Sequence, residues 1–176
     1  GQGVPLCESE RFRNQAAAAN CSGFLVADDI LVTAGHCMHQ EDREPSPCKT
    51  HSWVFGFEMG EGDKLADLSE DKVYKCSKII KVELNSATDE DYAIIKLDRK
   101  VTNIAPLKLN LKGKPVVGDD LTVIGHPAML PLKIADGAQV KDLADNYFYA
   151  NLDTYGGNSG SPVVNARTYE VEGILV

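Results

Sequence analysis

The sequence predicts an all-β fold of the barrel or sandwich kind. Short runs rich in Val, Ile, Leu, Tyr and Phe recur along 176 residues with turn signals between them. No stretch sustains an amphipathic helical repeat, and no apolar run reaches the ~18 residues of a membrane span. The expected strands, in order, cover 23–26, 30–33, 53–57, 73–84, 92–97, 121–125, 147–150, 161–164 and 171–176. These are runs rich in Val, Ile, Leu, Tyr and Phe with turn signals between them, the spacing that suits barrels or sandwiches. Residues 34–38 read as a short helical turn, and charge and a proline interrupt the pattern over 98–106.

Composition narrows the function classes. Eighteen Lys and Arg against 26 Asp and Glu give a net charge of −8. Nucleic acid is therefore excluded as a partner, because phosphate binding needs clustered cations; no membrane partner is expected either. The opening residues 1–5 lack the basic, apolar and small-residue layout of a secretion signal and read as a processed start. The acidic stretch 58–71 lacks regular ligand spacing, so it is expected to be a solvated loop rather than a calcium site. With no C-x-x-C or H-x-x-x-H spacing, no metal or other cofactor is expected.

Three local strings carry chemistry. Thr33-Ala34-Gly35-His36-Cys37 puts an imidazole at the end of an apolar strand, and Asp91 precedes the alternating run Tyr92-Ala93-Ile94-Ile95. Gly156-Gly157-Asn158-Ser159-Gly160-Ser161-Pro162 sets a serine among small residues, where bulky side chains would block a carbonyl substrate and the amides facing it. A serine hydroxyl is a poor nucleophile at neutral pH and needs a neighbouring base, which must later protonate the leaving amine. His36 is the candidate base, Ser159 the nucleophile, and Asp91 the carboxylate that fixes the imidazole tautomer. The backbone amides of Gly157 and Ser159 are the candidate oxyanion donors. Asp89 and Glu90 compete for the acid role, but only Asp91 directly precedes the strand.

That order and those flanks resemble the chymotrypsin/trypsin-like serine peptidases, and the G-N-S-G-S-P string is most similar to their bacterial branch, which includes the glutamyl endopeptidases. The resemblance implies two Greek-key β-barrels, 1–103 carrying His36 and Asp91 and 104–176 carrying Ser159, with the site in the cleft between them. It implies an endopeptidase acting on protein or peptide substrates through an acyl-enzyme. A Cys21–Cys37 disulfide beside the histidine is implied too, and with it an extracytoplasmic location, secreted or periplasmic. Cys48 and Cys76 flank the 53–57 strand and offer a second bridge, leaving Cys7 odd. His126, in Gly125-His126-Pro127, resembles a structural loop of the second barrel, and His39 and His51 read as solvated.

Departures from the pattern carry their own expectations. Asn158 stands where many trypsin-like zymogens have an aspartate that pairs with a freed N-terminus, so that ion pair is unavailable. Asp153, six residues before the nucleophile, matches the base of the primary pocket, where a carboxylate selects Lys or Arg. Thr154 matches a threonine that helps hold glutamate in glutamyl endopeptidases, whose later histidine would fall after Val176. Basic specificity is the expectation and glutamate the alternative. The last strand resembles the one leading into the substrate-binding segment, so the second barrel is expected to be truncated, its remainder a missing C-terminal segment of the same protein. A protease-fold scaffold without activity is the competing class.

Overall fold

The computed structural model describes residues 7–39 and 45–176, so the start at 1–5 lies outside the described residues. Among the described residues ten strands form two antiparallel five-stranded sheets. The first contains β1 (Phe24–Ala27), β2 (Ile30–Thr33), β3 (Ser52–Val54), β4 (Val73–Asn85) and β5 (Glu90–Leu97), in spatial order β1-β2-β5-β4-β3. The second contains β6 (Asp120–Gly125), β7 (Lys133–Leu143), β8 (Phe148–Ala150), β9 (Pro162–Asn165) and β10 (Val171–Ile174), in order β10-β9-β6-β7-β8. The all-β expectation holds, with each sheet curled into a five-stranded half-barrel.

Alternation explains why these runs become strands. Ala93, Ile95 and Leu97 of β5 face inward and join Leu25, Leu31 and Tyr74 in the first core, while Lys96 points out. The second core is built the same way, from Leu121, Val123, Ala138, Val140 and Val163. A third cluster, Phe24, Val164 and Val171, takes residues from both sheets and packs them together. The connection across 98–119 carries no strand, only a single bridge from Leu109 to Val171.

Strand β7 escaped the sequence reading. Its inward residues are mostly small, and the register slips opposite Leu121 and Val123, between Ala138 and Ala135. Gly137 sits in that slip at φ 77°, so strict period-2 alternation is lost where it would have been read. The helical turn expected at 34–38 is present as α1 (Gly35–Met38). A second turn, α2 (Pro47–Thr50), is capped by Ser46, whose hydroxyl accepts the Cys48 N–H.

Both proposed bridges are formed. Cys21–Cys37 closes a separation of 16 residues and Cys48–Cys76 one of 28. Loops of that size correspond to roughly 3 kcal/mol each in the chain-entropy account of the unfolded state. Cys7 is a free, exposed thiol.

Candidate active site

Local packing brings His36 to Asp91. A Cβ on Gly35 would run into the Glu83 carbonyl and come within 2.9 Å of both Asp91 Oδ1 and the Tyr92 nitrogen. The bare glycine thus lets α1 lie directly on the β4–β5 pair. Asp91 Oδ1 then accepts the backbone N–H of His36 at 2.9 Å, and Oδ2 meets the imidazole Nδ1 at 2.7 Å. A carboxylate only accepts, so Nδ1 carries the hydrogen and Nε2 keeps its lone pair. Asp91 lies one residue inside β5 rather than just before it, because the strand starts at Glu90. The acid is largely covered, at 18% side-chain exposure, while the imidazole is open at 39%.

Ser159 meets the first half-barrel through its main chain. Its carbonyl accepts the Ser22 N–H at 2.7 Å and lies 3.9 Å from Cys37 Sγ. A His36 ring nitrogen lies within 4.8 Å of both disulfide sulfurs. The imidazole and the serine backbone therefore share the Cys21–Cys37 bridge as a neighbour. Among the described residues Cys21, His36 and Cys37 are the one group spaced for a cation, but both sulfurs are spent in the disulfide and cannot act as thiolates.

The serine loop is shaped by glycines that nothing else can replace. Gly157 and Gly160 have φ of 99° and 89°. A Cβ on Gly160 would collide with the Ser22 carbonyl and the Thr33 hydroxyl, which are themselves bonded at 2.7 Å in the buried core of the loop. Gly160→Ala is expected to cost at least ~2 kcal/mol, from positive φ and overpacking together. A urea midpoint indistinguishable from wild type would refute that cost.

Sequence reasoning missed Ser22. Its hydroxyl donates to the Gly157 carbonyl at 2.9 Å and accepts the His126 N–H at 3.1 Å, clamping the serine loop to the start of the next turn. Its adjacency to Cys21 was the available signal. Asn158 is buried and exchanges contacts within the loop: Ser161 donates its backbone N–H to the Asn158 carbonyl at 2.8 Å.

His126 plays a packing part, as its sequence context suggested. Its ring stacks on Phe57 at 5.5 Å and its Nδ1 meets the Leu130 carbonyl at 2.9 Å. Burial pushes its pKa below the ordinary imidazole value, with Lys133 adding to the shift and the Leu130 carbonyl opposing it. The folded state thus binds fewer protons than the unfolded one. This contribution is fully present above about pH 6.5 and is lost as pH falls through the lower folded pKa. His126→Gln should flatten the loss of stability as pH falls below about 6.5, measured by urea midpoints; an unchanged slope would count against burial as the cause.

A cleft of about 790 Å³ runs from Asp91 past Thr154 to the space between edge strands β8 and β10. Asp89, Glu90, Asp91 and Glu172 line it, and among the described residues no lysine, arginine or histidine does. Thr154 is a lining residue; Asp153 is exposed and is not. A second cleft, about 520 Å³, lies on the disulfide side and is walled by Trp53, Phe55, Phe57 and His126. In the acidic stretch 58–71, two short 3-10 turns (Glu61–Asp63 and Glu70–Lys72) appear, and no group there is spaced for a cation among the described residues.

Two curled half-barrels, one holding a histidine on a carboxylate and the other carrying a glycine-rich serine loop, have the architecture of a trypsin-like serine peptidase. The chain belongs to the trypsin-like peptidase domain family, whose profile matches residues 21–174. It is 26% identical over 190 residues to snake venom serine protease 1 of Craspedocephalus gramineus, covering 90% of this chain and 69% of that protein. It is also 26% identical over 163 residues to a protein of Bacillus subtilis (strain 168) named extracellular metalloprotease, covering 88% of this chain and 49% of that one. Among solved structures, a Glu endopeptidase in complex with MPD superposes with a TM-score of 0.67 at 20% identity, over 88% of this chain and 72% of that one. At that identity the superposition speaks for the fold. No helix among the described residues is long and apolar enough to cross a membrane.

Proposed function

We propose that this domain hydrolyses peptide bonds through a Ser159–His36–Asp91 triad, the half-barrels dividing near residues 103 and 104. The observation that carries the reading is the two-point hold of Asp91 on His36, through the ring Nδ1 at 2.7 Å and the backbone N–H at 2.9 Å. It leaves Nε2 as the free acceptor. In acylation, Ser159 Oγ attacks the substrate carbonyl carbon while Nε2 takes the hydroxyl proton, and the carbonyl electron pair moves onto oxygen. The Gly157 and Ser159 amides receive that oxyanion. Collapse breaks the C–N bond, and His36 returns the proton to the leaving amine. Water then repeats the sequence on the ester, restoring Ser159.

Cleavage after Lys or Arg is the specificity we propose. The support is electrostatic: four carboxylates line the larger cleft with no cationic side chain among its described lining residues, and a cation gains from that field while an anion is repelled. Exposed Asp153 at the loop before the serine adds to the same sign. The structurally similar Glu endopeptidase keeps glutamate as the alternative, and Thr154 lines the larger cleft. Two disulfides support an extracytoplasmic setting, secreted or periplasmic and, by the motif variant, bacterial.

A panel of otherwise identical peptides carrying Lys, Arg, Glu or Phe before the scissile bond tests this. The expected order of kcat/KM puts Lys and Arg at least ~10-fold above Phe, with Glu lowest. Preference for Glu would overturn the specificity, and no cleavage of any peptide would return the chain to a scaffold role.

A further inference from the structure

In a trans peptide the carbonyl and the following N–H point in opposite directions. Whatever holds the Gly156 carbonyl therefore decides where the Gly157 N–H is aimed. That carbonyl accepts the backbone N–H of Ala128 at 2.7 Å. Ala128 and Met129 both adopt left-handed backbone, at φ 51° and 68°. Non-glycine residues persist there only when their surroundings over-determine them.

Three sets of contacts do so. Within the turn, the Met129 N–H reaches the His126 carbonyl at 3.2 Å and the Leu130 N–H the Pro127 carbonyl at 3.0 Å. From the first sheet's side, the Phe57 carbonyl accepts the Leu132 N–H at 2.8 Å. The third set comes from far away in sequence: Ala18 and Ala19 both donate their N–H groups to the Met129 carbonyl, at 2.9 and 3.2 Å. Lys133 completes it. Its Nζ bonds Gln15 Oε1 at 2.8 Å and the Pro131 and Leu132 carbonyls at 2.8 and 3.4 Å, and it lies 4.8 Å from the Phe12 ring centroid.

We propose that residues 15–19 form a strap which, through Lys133 and Met129, holds the Ala128–Gly156 bond and so keeps the Gly157 amide aimed for oxyanion binding. Lys133 is a positioning residue in this scheme. The inference rests on the reading of Gly157 as an oxyanion donor.

The test combines hydrogen exchange with kinetics on Lys133→Ala, Lys133→Arg and Gln15→Ala. In Lys133→Ala the Ala128 amide is expected to exchange at least ~10-fold faster than in wild type, and Lys133→Arg to recover most of the protection. Turnover should fall by ~10-fold or more, within the ~10²–10³ that one oxyanion donor supplies, with KM within about twofold. A peptide aldehyde, whose carbonyl becomes an oxyanion when Ser159 adds to it, should lose affinity by the factor seen in kcat, while a peptide amide competitor should not. Gln15→Ala cuts the same tie from the exposed segment and serves if Lys133→Ala does not fold. Unchanged Ala128 exchange in the folded variants overturns the strap, as does faster exchange with kcat and aldehyde affinity intact. If the wild type neither cleaves peptides nor binds the aldehyde, the peptidase reading fails, and the exchange measurements still decide whether the strap holds the loop.

Discussion

Ser159→Ala is expected to lower kcat by about 10⁶-fold while leaving the protein folded. The variant removes one hydroxyl and no anchor. The loop is held by backbone bonds, from Ser22 N–H to the Ser159 carbonyl at 2.7 Å and from Gly160 N–H to the Leu175 carbonyl at 2.7 Å, and by the Ser22 hydroxyl on Gly157. None of these involves Ser159 Oγ. Residual activity should be that of a pocket and oxyanion amides acting on water alone. Steady-state kinetics with a parallel melting curve separate the outcomes: a loss under ~10-fold would mean another nucleophile, and a collapsed melting temperature would mean that the hydroxyl is structural.

Asp91→Asn is expected to cost about 10⁴-fold in kcat, again without unfolding. The asparagine carbonyl can still accept the His36 backbone N–H now bonded to Oδ1 at 2.9 Å. Its NH₂ would then face Nδ1, now met by Oδ2 at 2.7 Å, and force the hydrogen onto Nε2. The imidazole would sit in place with its lone pair turned away from the serine. Because the defect is in chemistry, kcat should carry it and KM should change little. A loss of less than tenfold would leave Asp91 as a structural brace and reopen the acid role for its neighbours Asp89 and Glu90.

How much the sequence disclosed depended on whether a signal was local. His36, Asp91 and Ser159 each sit in a short string whose neighbours report their setting: an apolar strand before the histidine, an alternating strand after the aspartate, glycines around the serine. Strands β5 and β6 were legible because their buried positions strictly alternate, over Ala93, Ile95 and Leu97 and over Leu121, Val123 and Gly125. Strand β7 was not, since alanines and a slip at Gly137 erase the period. The Cys48–Cys76 bridge was readable from its position around one strand. By contrast, Ser22 reaching Gly157 joins residues 135 apart, and Lys133 reaching Gln15 joins residues 118 apart. No local pattern announces such pairings; they follow from how the curled sheets bring their loops together. Asp153 is exposed and lies outside the lining of the larger cleft, a placement that its spacing from the serine does not report.

The most direct check on the account is to treat the protein with a peptidyl organophosphonate and locate the adduct by mass spectrometry of its fragments. One phosphonyl group is expected, on the segment containing Ser159, formed quickly in wild type, far more slowly in Asp91→Asn and not at all in Ser159→Ala. An adduct on any other residue, or none under conditions where the wild type is folded, would contradict it.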